Sequence, residues 1–126
     1  MAKVTGIGGV FFRSGDPKGL TGWYTEHLGL PAPVDGSVAI PWRHAEDPAR
    51  EGMTVWAPFP AATGYFGPGG QAFMINYIVD DLDGMLASLR GAGVAVDDRI
   101  EEHEYGRFGW ATDPEGNRIE LWEPPR

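Results

Sequence analysis

Cysteine is missing from this chain of 126 residues. Its absence excludes disulfide bonds, thiol nucleophiles and metal sites built on thiolates. Histidine is scarce, with three residues, so few imidazoles are available for metal binding or proton transfer. The chain is therefore expected to be a protein that works without thiol chemistry.

Basic residues are also few, with 10 lysines and arginines against 18 aspartates and glutamates, and the formal net charge is −8. A field of that sign repels polyanions, so neither nucleic acid nor an anionic membrane is an expected partner. The first residues, MAKVTGIGGVFF, contain one lysine and no long apolar run, so we expect neither a signal peptide nor a membrane-spanning helix. We expect a cytoplasmic protein with a single domain over residues 1–126.

The first half of the chain predicts a strand, a helix and further short strands. Residues 7–13 alternate and are rich in β-formers, which indicates a strand. Asp16-Pro17 has the residue types of a helix start, and Gly29 is well placed to end that helix. Residues 37–42 and 53–59 are shorter strand candidates. The segment 60–70, rich in glycine and proline, is predicted to be a flexible connection.

At Phe73 the pattern begins again, with a strand followed by a helix that starts at Asp80-Asp81. Three more strands are predicted at residues 94–96, 108–112 and 118–122. An offset of 65 superposes the two halves and aligns Val10 with Ile75. The order of elements therefore predicts a duplicated βαβββ unit, with repeats at about 5–59 and 71–123. The alternative is chance similarity of two strand–helix units.

The most informative stretch is YGRFGWATDPEGNRIELWE, residues 105–123. Asp113-Pro114-Glu115-Gly116 has the composition of a type I turn, and alternating residues on both sides indicate a hairpin. Glu120 lies between Ile119 and Leu121, so it belongs to the face that these aliphatic residues do not use. That face is either solvent or the wall of a cavity.

This arrangement resembles the vicinal oxygen chelate superfamily, which includes glyoxalase I, extradiol dioxygenases and the fosfomycin- and bleomycin-resistance proteins. The resemblance is carried by WYTEHLGL, VDDLDGMLASLRGAGV and DPEGNRIELWEP. It implies an α+β fold in which two βαβββ repeats form a half-open curved barrel. In the enzymes of this superfamily a divalent metal lies inside the barrel, on ligands from the first and last strands of each unit.

The resemblance matches Glu120 to the glutamate of the last strand. The other ligand positions fall on Gly9, Met74 and Val55, the last with an error of one residue. Because a catalytic divalent site needs about three protein ligands, the expectation is that the family metal is lost and that the protein has no cofactor.

Inward-facing Gly9 and Met74 would bring their alternate neighbours to the same face. The residues expected to bind a ligand are Phe11, Arg13, Met74, Asn76 and Trp122. A buried Glu120 needs a partner for its charge, for which Arg13, Asn76 or a cationic ligand are candidates. Glu120 is also a candidate catalytic residue, with His103 on a loop as a second proton-transfer group.

Two main interpretations follow, and a third remains open. The favoured one is a metal-free protein, similar to the bleomycin-resistance proteins, that binds an aromatic or cationic small molecule. The second is a glyoxalase-like lyase, isomerase or dioxygenase that uses Glu120 at a metal-free or displaced site. The third is a subunit with a vestigial pocket. In each case we expect a homodimer, because a half-open barrel leaves apolar surface that one short chain cannot cover.

Overall fold

The computed structural model describes residues 2–125, in which seven strands and two helices are formed. In chain order they are β1 (Val4–Ser14), α1 (Pro17–Leu28), β2 (Val38–Arg43), β3 (Glu51–Pro60), β4 (Phe73–Val79), α2 (Leu82–Gly91), β5 (Glu101–His103), β6 (Gly106–Thr112) and β7 (Arg118–Glu123). The strands form one curved, open sheet in the order β2-β3-β1-β4-β7-β6-β5. The predicted α+β class is confirmed. No described helix is long and apolar enough to cross a membrane.

The two halves of the sheet meet at its centre, where β1 and β4 run antiparallel. Val10 pairs with Ile75, the residue on which an offset of 65 places it. A residue that pairs with its own counterpart indicates a local two-fold axis between the units. Outside this pair, β1 runs parallel to β3 and β4 runs parallel to β7. The sheet is therefore built from two similar halves with the same internal order.

The helix starts repeat as well. Asp16 Oδ1 accepts a hydrogen bond from the Gly19 amide at 3.1 Å, and Asp81 Oδ1 accepts one from the Gly84 amide at 3.1 Å. A side chain at either glycine would collide with the capping carboxylate. The predicted helix starts are thus confirmed, and so is the helix end at Gly29, which adopts a left-handed φ of 69°.

Two strand predictions were wrong. In the first unit two strands follow the helix within the described residues, and the place of the third is taken by an isolated bridge between Val34 and Ser37. In the second unit the predicted strand at 94–96 is reduced to one bridge from Val96 to Ala111, and the strand lies at β5. The apolar character of Val96 reflects its packing in the cluster beneath α2, not membership of a strand.

The sheet has two differently used faces. On one face Leu121 and Val79 pack against Leu82 and Leu86 of α2. On the other face a second buried cluster is formed by Phe11, Ala57, Phe66, Met74 and Trp110. Glu120 alternates with Leu121 and so belongs to this second, concave face.

Residues 61–72, called the capping loop from here on, pack across the concave face. The prediction of a flexible connection was wrong, because Phe66 of this loop is fully buried in the core cluster. Arg13 donates hydrogen bonds to the carbonyl oxygens of Ala61, Thr63 and Gln71 at 2.8, 2.9 and 2.8 Å. The Gln71 side chain in turn bonds both the amide and the carbonyl of Arg118. Both ends of the loop are therefore fixed to the sheet.

Replacing Arg13 with methionine should release the capping loop, because three hydrogen bonds from a charged donor are lost. We expect the free energy of unfolding to fall by about 2 kcal/mol and hydrogen exchange across residues 61–71 to accelerate. Urea unfolding and exchange mass spectrometry measure both effects. Arg90→Met is the matched control, since Arg90 makes one exposed bond to the Asp97 carbonyl. An unchanged exchange rate in the loop would contradict the role given to Arg13.

Candidate functional site

A cavity of about 720 Å³ opens on the concave face of the sheet. Aromatic rings make up much of its wall, and carboxylates and one imidazole lie among them. Its lining residues are Gly8, Phe11, Val34, Asp35, Ser37, Met53, Val55, Ala57, Phe59, Tyr65, Asn76, Glu101, His103, Tyr105, Phe108, Glu120 and Trp122. The cavity therefore combines residues of both halves of the sheet with one residue of the capping loop.

Glu120 lies in the wall of this cavity and is 1% exposed. Its Oε1 accepts a hydrogen bond from Asn76 Nδ2 at 2.6 Å, and its Oε2 accepts one from Trp110 Nε1 at 2.9 Å. The hydroxyl of Tyr65 also donates to Oε2. Three neutral donors from three separate elements thus converge on one buried carboxylate.

Strand register brings two of these donors to Glu120. Asn76 of β4 and Trp110 of β6 are both direct cross-strand partners of Glu120, and Gly9 is the partner of Asn76 on β1. Cross-strand partners share a face of the sheet. The row that contains Glu120 therefore passes through Asn76, where the 65-residue offset had pointed to Met74. The offset aligns Gly9 with Met74 in sequence, but in the antiparallel pair Gly9 lies opposite Asn76 and Met74 lies opposite Phe11.

The pairing of β1 with β4 shifts its register between Ile7 and Gly9, and neither Gly8 nor Gly9 has room for a side chain. A Cβ at Gly8 would collide with Asn76 Oδ1 and with the Trp122 ring. A Cβ at Gly9 would lie 2.6 Å from the Phe11 ring. The space on the first strand is therefore occupied by Asn76, Trp122 and Phe11, which come from three strands.

Burial raises the pKa of Glu120 above its usual value of 4.5, and hydrogen bonds from Tyr65, Asn76 and Trp110 oppose this rise only in part. The pKa of Tyr65 is raised too, first by burial and then by the charge of Glu120 beside it. A raised carboxyl pKa favours the neutral acid, so this site is suited to change its protonation when a charged group arrives.

Asn76 contributes an unsatisfied acceptor next to the carboxylate. Asn76 is 1% exposed, and among residues 2–125 no group donates a hydrogen bond to its Oδ1. An unpaired buried carbonyl oxygen is costly, and a rotated amide would turn this oxygen toward Glu120. A protonated Glu120 could then donate to it. The amide orientation of Asn76 and the protonation of Glu120 are thus linked.

The five residues predicted to bind a ligand are not all at the cavity. Phe11, Asn76 and Trp122 line it, and Trp122 donates to the Tyr105 carbonyl at 2.8 Å. Met74 is fully buried in the core cluster and is absent from the cavity wall. Arg13 binds the capping loop instead of Glu120. Its guanidinium donates to three carbonyl oxygens of the loop and lies over the Phe66 ring, 5.1 Å from the centroid.

His103 lies in the wall of the same cavity as Glu120, in a more exposed position. Its ring stacks on Tyr105 with 4.9 Å between centroids, and its Nε2 lies 3.1 Å from Glu101 Oε1. Next to this group the rings of Phe108 and Trp122 are parallel at 5.9 Å. The β5–β6 hairpin and β7 therefore give one side of the cavity a continuous aromatic surface.

Sequence reasoning missed two of the three donors to Glu120. Trp110 was detectable, because the turn at Asp113–Gly116 sets the register of the hairpin and counting outward from it pairs Trp110 with Glu120. Tyr65 had no such signal. It lies in a loop, and its position depends on the packing of that loop across the sheet.

The side chains around Glu120 do not fit a divalent metal. The row across β3, β1, β4 and β7 consists of Val55, Gly9, Asn76 and Glu120, which supply one carboxylate and one amide. Both carboxylate oxygens already accept hydrogen bonds. In the part of the chain that the structure describes, no group of three or more His, Asp or Glu side chains is arranged to hold a metal ion. Divalent ions of this kind need about three protein ligands.

The family model of the glyoxalase/bleomycin resistance protein/dioxygenase superfamily matches residues 6–121. The chain belongs to this superfamily, which confirms the resemblance seen in the sequence. No curated protein matches the sequence of this chain.

Similar solved structures agree with the fold. Methylmalonyl-CoA epimerase from Mycobacterium tuberculosis is 22% identical with a TM-score of 0.62, over 98% of this chain and 90% of that chain. The Streptomyces coelicolor enzyme with 2-nitronate-propionyl-CoA is 16% identical with a TM-score of 0.71, over 98% and 100%. A superfamily member from Vibrio splendidus 12B01 is 11% identical with a TM-score of 0.59, over 98% and 99%. At these identities the likeness concerns the fold.

The raised pKa of Glu120 gives its effect on stability a definite sign. The folded protein holds the Glu120 proton more tightly than the unfolded chain does, so this group stabilises the fold at low pH. That contribution is lost as the pH rises from 4.5, the pKa in the unfolded chain, through the higher pKa in the folded protein. Glu120→Gln should remove this loss of stability at high pH, because the glutamine amide carries no titrating proton. The glutamine amide can also donate a hydrogen bond to Asn76 Oδ1 once the Asn76 amide is rotated. The variant's advantage should grow by up to about 1.4 kcal/mol for each pH unit across that window.

Urea unfolding of wild type and Glu120→Gln between pH 4 and 8 measures this difference. Glu115→Gln, at an exposed position of the Asp113–Gly116 turn, controls for the loss of one negative charge. A difference between wild type and Glu120→Gln that stays constant with pH would show that the Glu120 pKa is not raised.

Proposed function

We propose that this protein binds an aromatic, cationic small molecule without a metal ion. The observation that carries the proposal is the buried carboxylate of Glu120 in the wall of an aromatic cavity of about 720 Å³. Cavities of roughly 300–1,000 Å³ with a few convergent polar groups are typical of small-molecule sites.

The aromatic wall favours a flat or cationic ligand. Rings attract cations through the negative potential of their faces and stack on other rings at little cost. Phe11, Phe59, Tyr105, Phe108 and Trp122 supply such surfaces around one space. A ligand that entered it would contact the sheet from both units.

The charges of the site favour a positive ligand. Among the described residues that line the cavity, Asp35, Glu101 and Glu120 carry carboxylates and His103 carries the one basic group. An ionised Glu120 is disfavoured in the empty site because burial raises its pKa. A cation beside it would supply the missing compensation, and binding would then be coupled to release of the Glu120 proton.

Metal independence is part of the proposal, and the donor set supports it. Of the four residues in the central row, one carries a carboxylate, and neutral hydrogen-bond donors already surround it. A simpler role for the Glu120 carboxylate is to pair with the positive charge of a ligand.

Benzyltrimethylammonium is a suitable first probe, with tetramethylammonium and benzyl alcohol as controls that lack the ring or the charge. We expect the full probe to bind most tightly by calorimetry, and Glu120→Gln to weaken it roughly tenfold, a change of about 1.4 kcal/mol. Glu115→Gln should bind as wild type does. Equal binding of the charged and neutral probes would refute the cation preference. Stabilisation by zinc, nickel or iron of more than about 2 °C would refute metal independence.

A second candidate is a metal-free enzyme of the glyoxalase type, a lyase, isomerase or dioxygenase. The raised pKa of Glu120 favours it, because a proton-transfer group works best with a pKa near the working pH. His103 would supply a second such group at the same cavity. The named activity of the epimerase neighbours suggests a direct assay with methylmalonyl-CoA in D₂O. Deuterium uptake that Glu120→Gln abolishes would favour the enzyme over the binding protein.

We also propose that the protein is a homodimer. Val34, Met53 and Tyr105 line the cavity and are 74%, 42% and 55% exposed. Large apolar side chains exposed together usually mark a contact surface. A second copy would cover them and narrow the cavity mouth.

Analytical ultracentrifugation at micromolar concentration should therefore show a dimer, and Val34→Glu should shift it toward the monomer. Leu28→Glu, at an exposed position outside the cavity, is the control. A wild-type monomer under these conditions would contradict the proposal.

A further inference from the structure

A second cavity of about 760 Å³ lies between α1 and the end of β3. We call it the helix groove. Its lining includes Pro17, Gly22 and Thr25 of α1, Pro33 of the following loop, and Pro58 and Pro60 of β3. Most of this wall is apolar, so the groove is suited to an uncharged, hydrophobic group.

The helix groove is adjacent to the first cavity. Asp35, Ser37, Ala57 and Phe59 line both spaces. The division between them is the tight turn Val34–Ser37, in which Asp35 and Gly36 have φ values of 51° and 82°. Aspartate and glycine are the residues that such a turn prefers. A molecule bound in the first cavity therefore has a neighbouring space into which it can extend.

The edge of β3 beside the groove limits what can bind there. The pairing of β2 with β3 ends at Val38 and Trp56, whereas the pairing of β1 with β3 continues to Pro60. Proline has no amide hydrogen, so Pro58 and Pro60 cannot donate to an added strand. A peptide that extends the sheet is therefore disfavoured, and a small-molecule group fits better.

We infer that the helix groove binds a flexible apolar arm of the ligand whose aromatic, cationic head lies in the first cavity. This inference rests on the proposed function. The wall carries one positive charge, on Lys18, and two negative charges, on Glu26 and Asp35, so an anionic arm is disfavoured.

A series of benzyldimethylalkylammonium probes, from methyl to hexyl, tests the arm. In wild type we expect affinity to rise by about three- to fourfold for each methylene that leaves water, and by at least tenfold over the series. Isothermal calorimetry with the intact protein gives each dissociation constant. The methyl member reports on the first cavity alone.

Gly22→Phe should fill the groove. A Cβ at Gly22 meets nothing within 4 Å, so the substitution is compatible with the fold. We expect this variant to bind the methyl probe within twofold of wild type and to lose the gain from the longer chains. Gly91→Phe on α2, also at a position with open space, is the matched control and should keep the gain. Gly22→Leu is a second filling variant, and thermal unfolding checks that each variant is folded.

The possible results separate the two proposals. If the methyl probe binds but the hexyl probe binds no more tightly, or if Gly22→Phe keeps the gain, the helix groove is not the arm site and the proposed function is unaffected. If the methyl probe fails to bind wild type, the proposed function fails and the inference fails with it.

Discussion

The central physical constraint in this protein is a carboxylate that is removed from water without a cation in contact with it. Glu120 is held by an amide, an indole and a phenol, all neutral donors among the residues that the structure describes. Neutral donors stabilise a negative charge less than a cation would, which is why burial still raises the pKa of this group. A positive charge placed beside Glu120 would therefore favour the loss of its proton.

This arrangement requires both units and the loop between them. Arg13 of the first unit fixes the capping loop through three carbonyl oxygens, and the loop brings Tyr65 to the carboxylate of the second unit. Asn76 adds its donor from the strand at the centre of the sheet. A change in Arg13 is thus transmitted to Glu120 through backbone contacts, although the two side chains do not touch in the described structure.

Local rules predicted much of the fold, because its signals are short in range. The aspartate caps, the end of α1 at Gly29 and the turn at Asp113–Gly116 each depend on a few neighbouring residues. The superfamily followed from the order of these elements. The composition of the site was harder. The offset aligned Gly9 with Met74, whereas the antiparallel pairing of β1 with β4 places Gly9 opposite Asn76, the cross-strand partner of Glu120. The position of Tyr65 depends on long-range packing that no local pattern encodes.

The neutral donors give Glu120 a chemical setting different from that of a carboxylate bound to a metal ion. A bound divalent ion would keep a carboxylate permanently ionised, whereas the neutral donors here leave its charge dependent on what enters the cavity. In our proposal the ligand supplies a positive charge in contact with this carboxylate, whereas the described protein supplies one only at a distance, from Arg118. Selectivity for a cation then follows from electrostatics, because a neutral ligand of the same shape would not stabilise an ionised Glu120 and would gain only the contact with the aromatic wall.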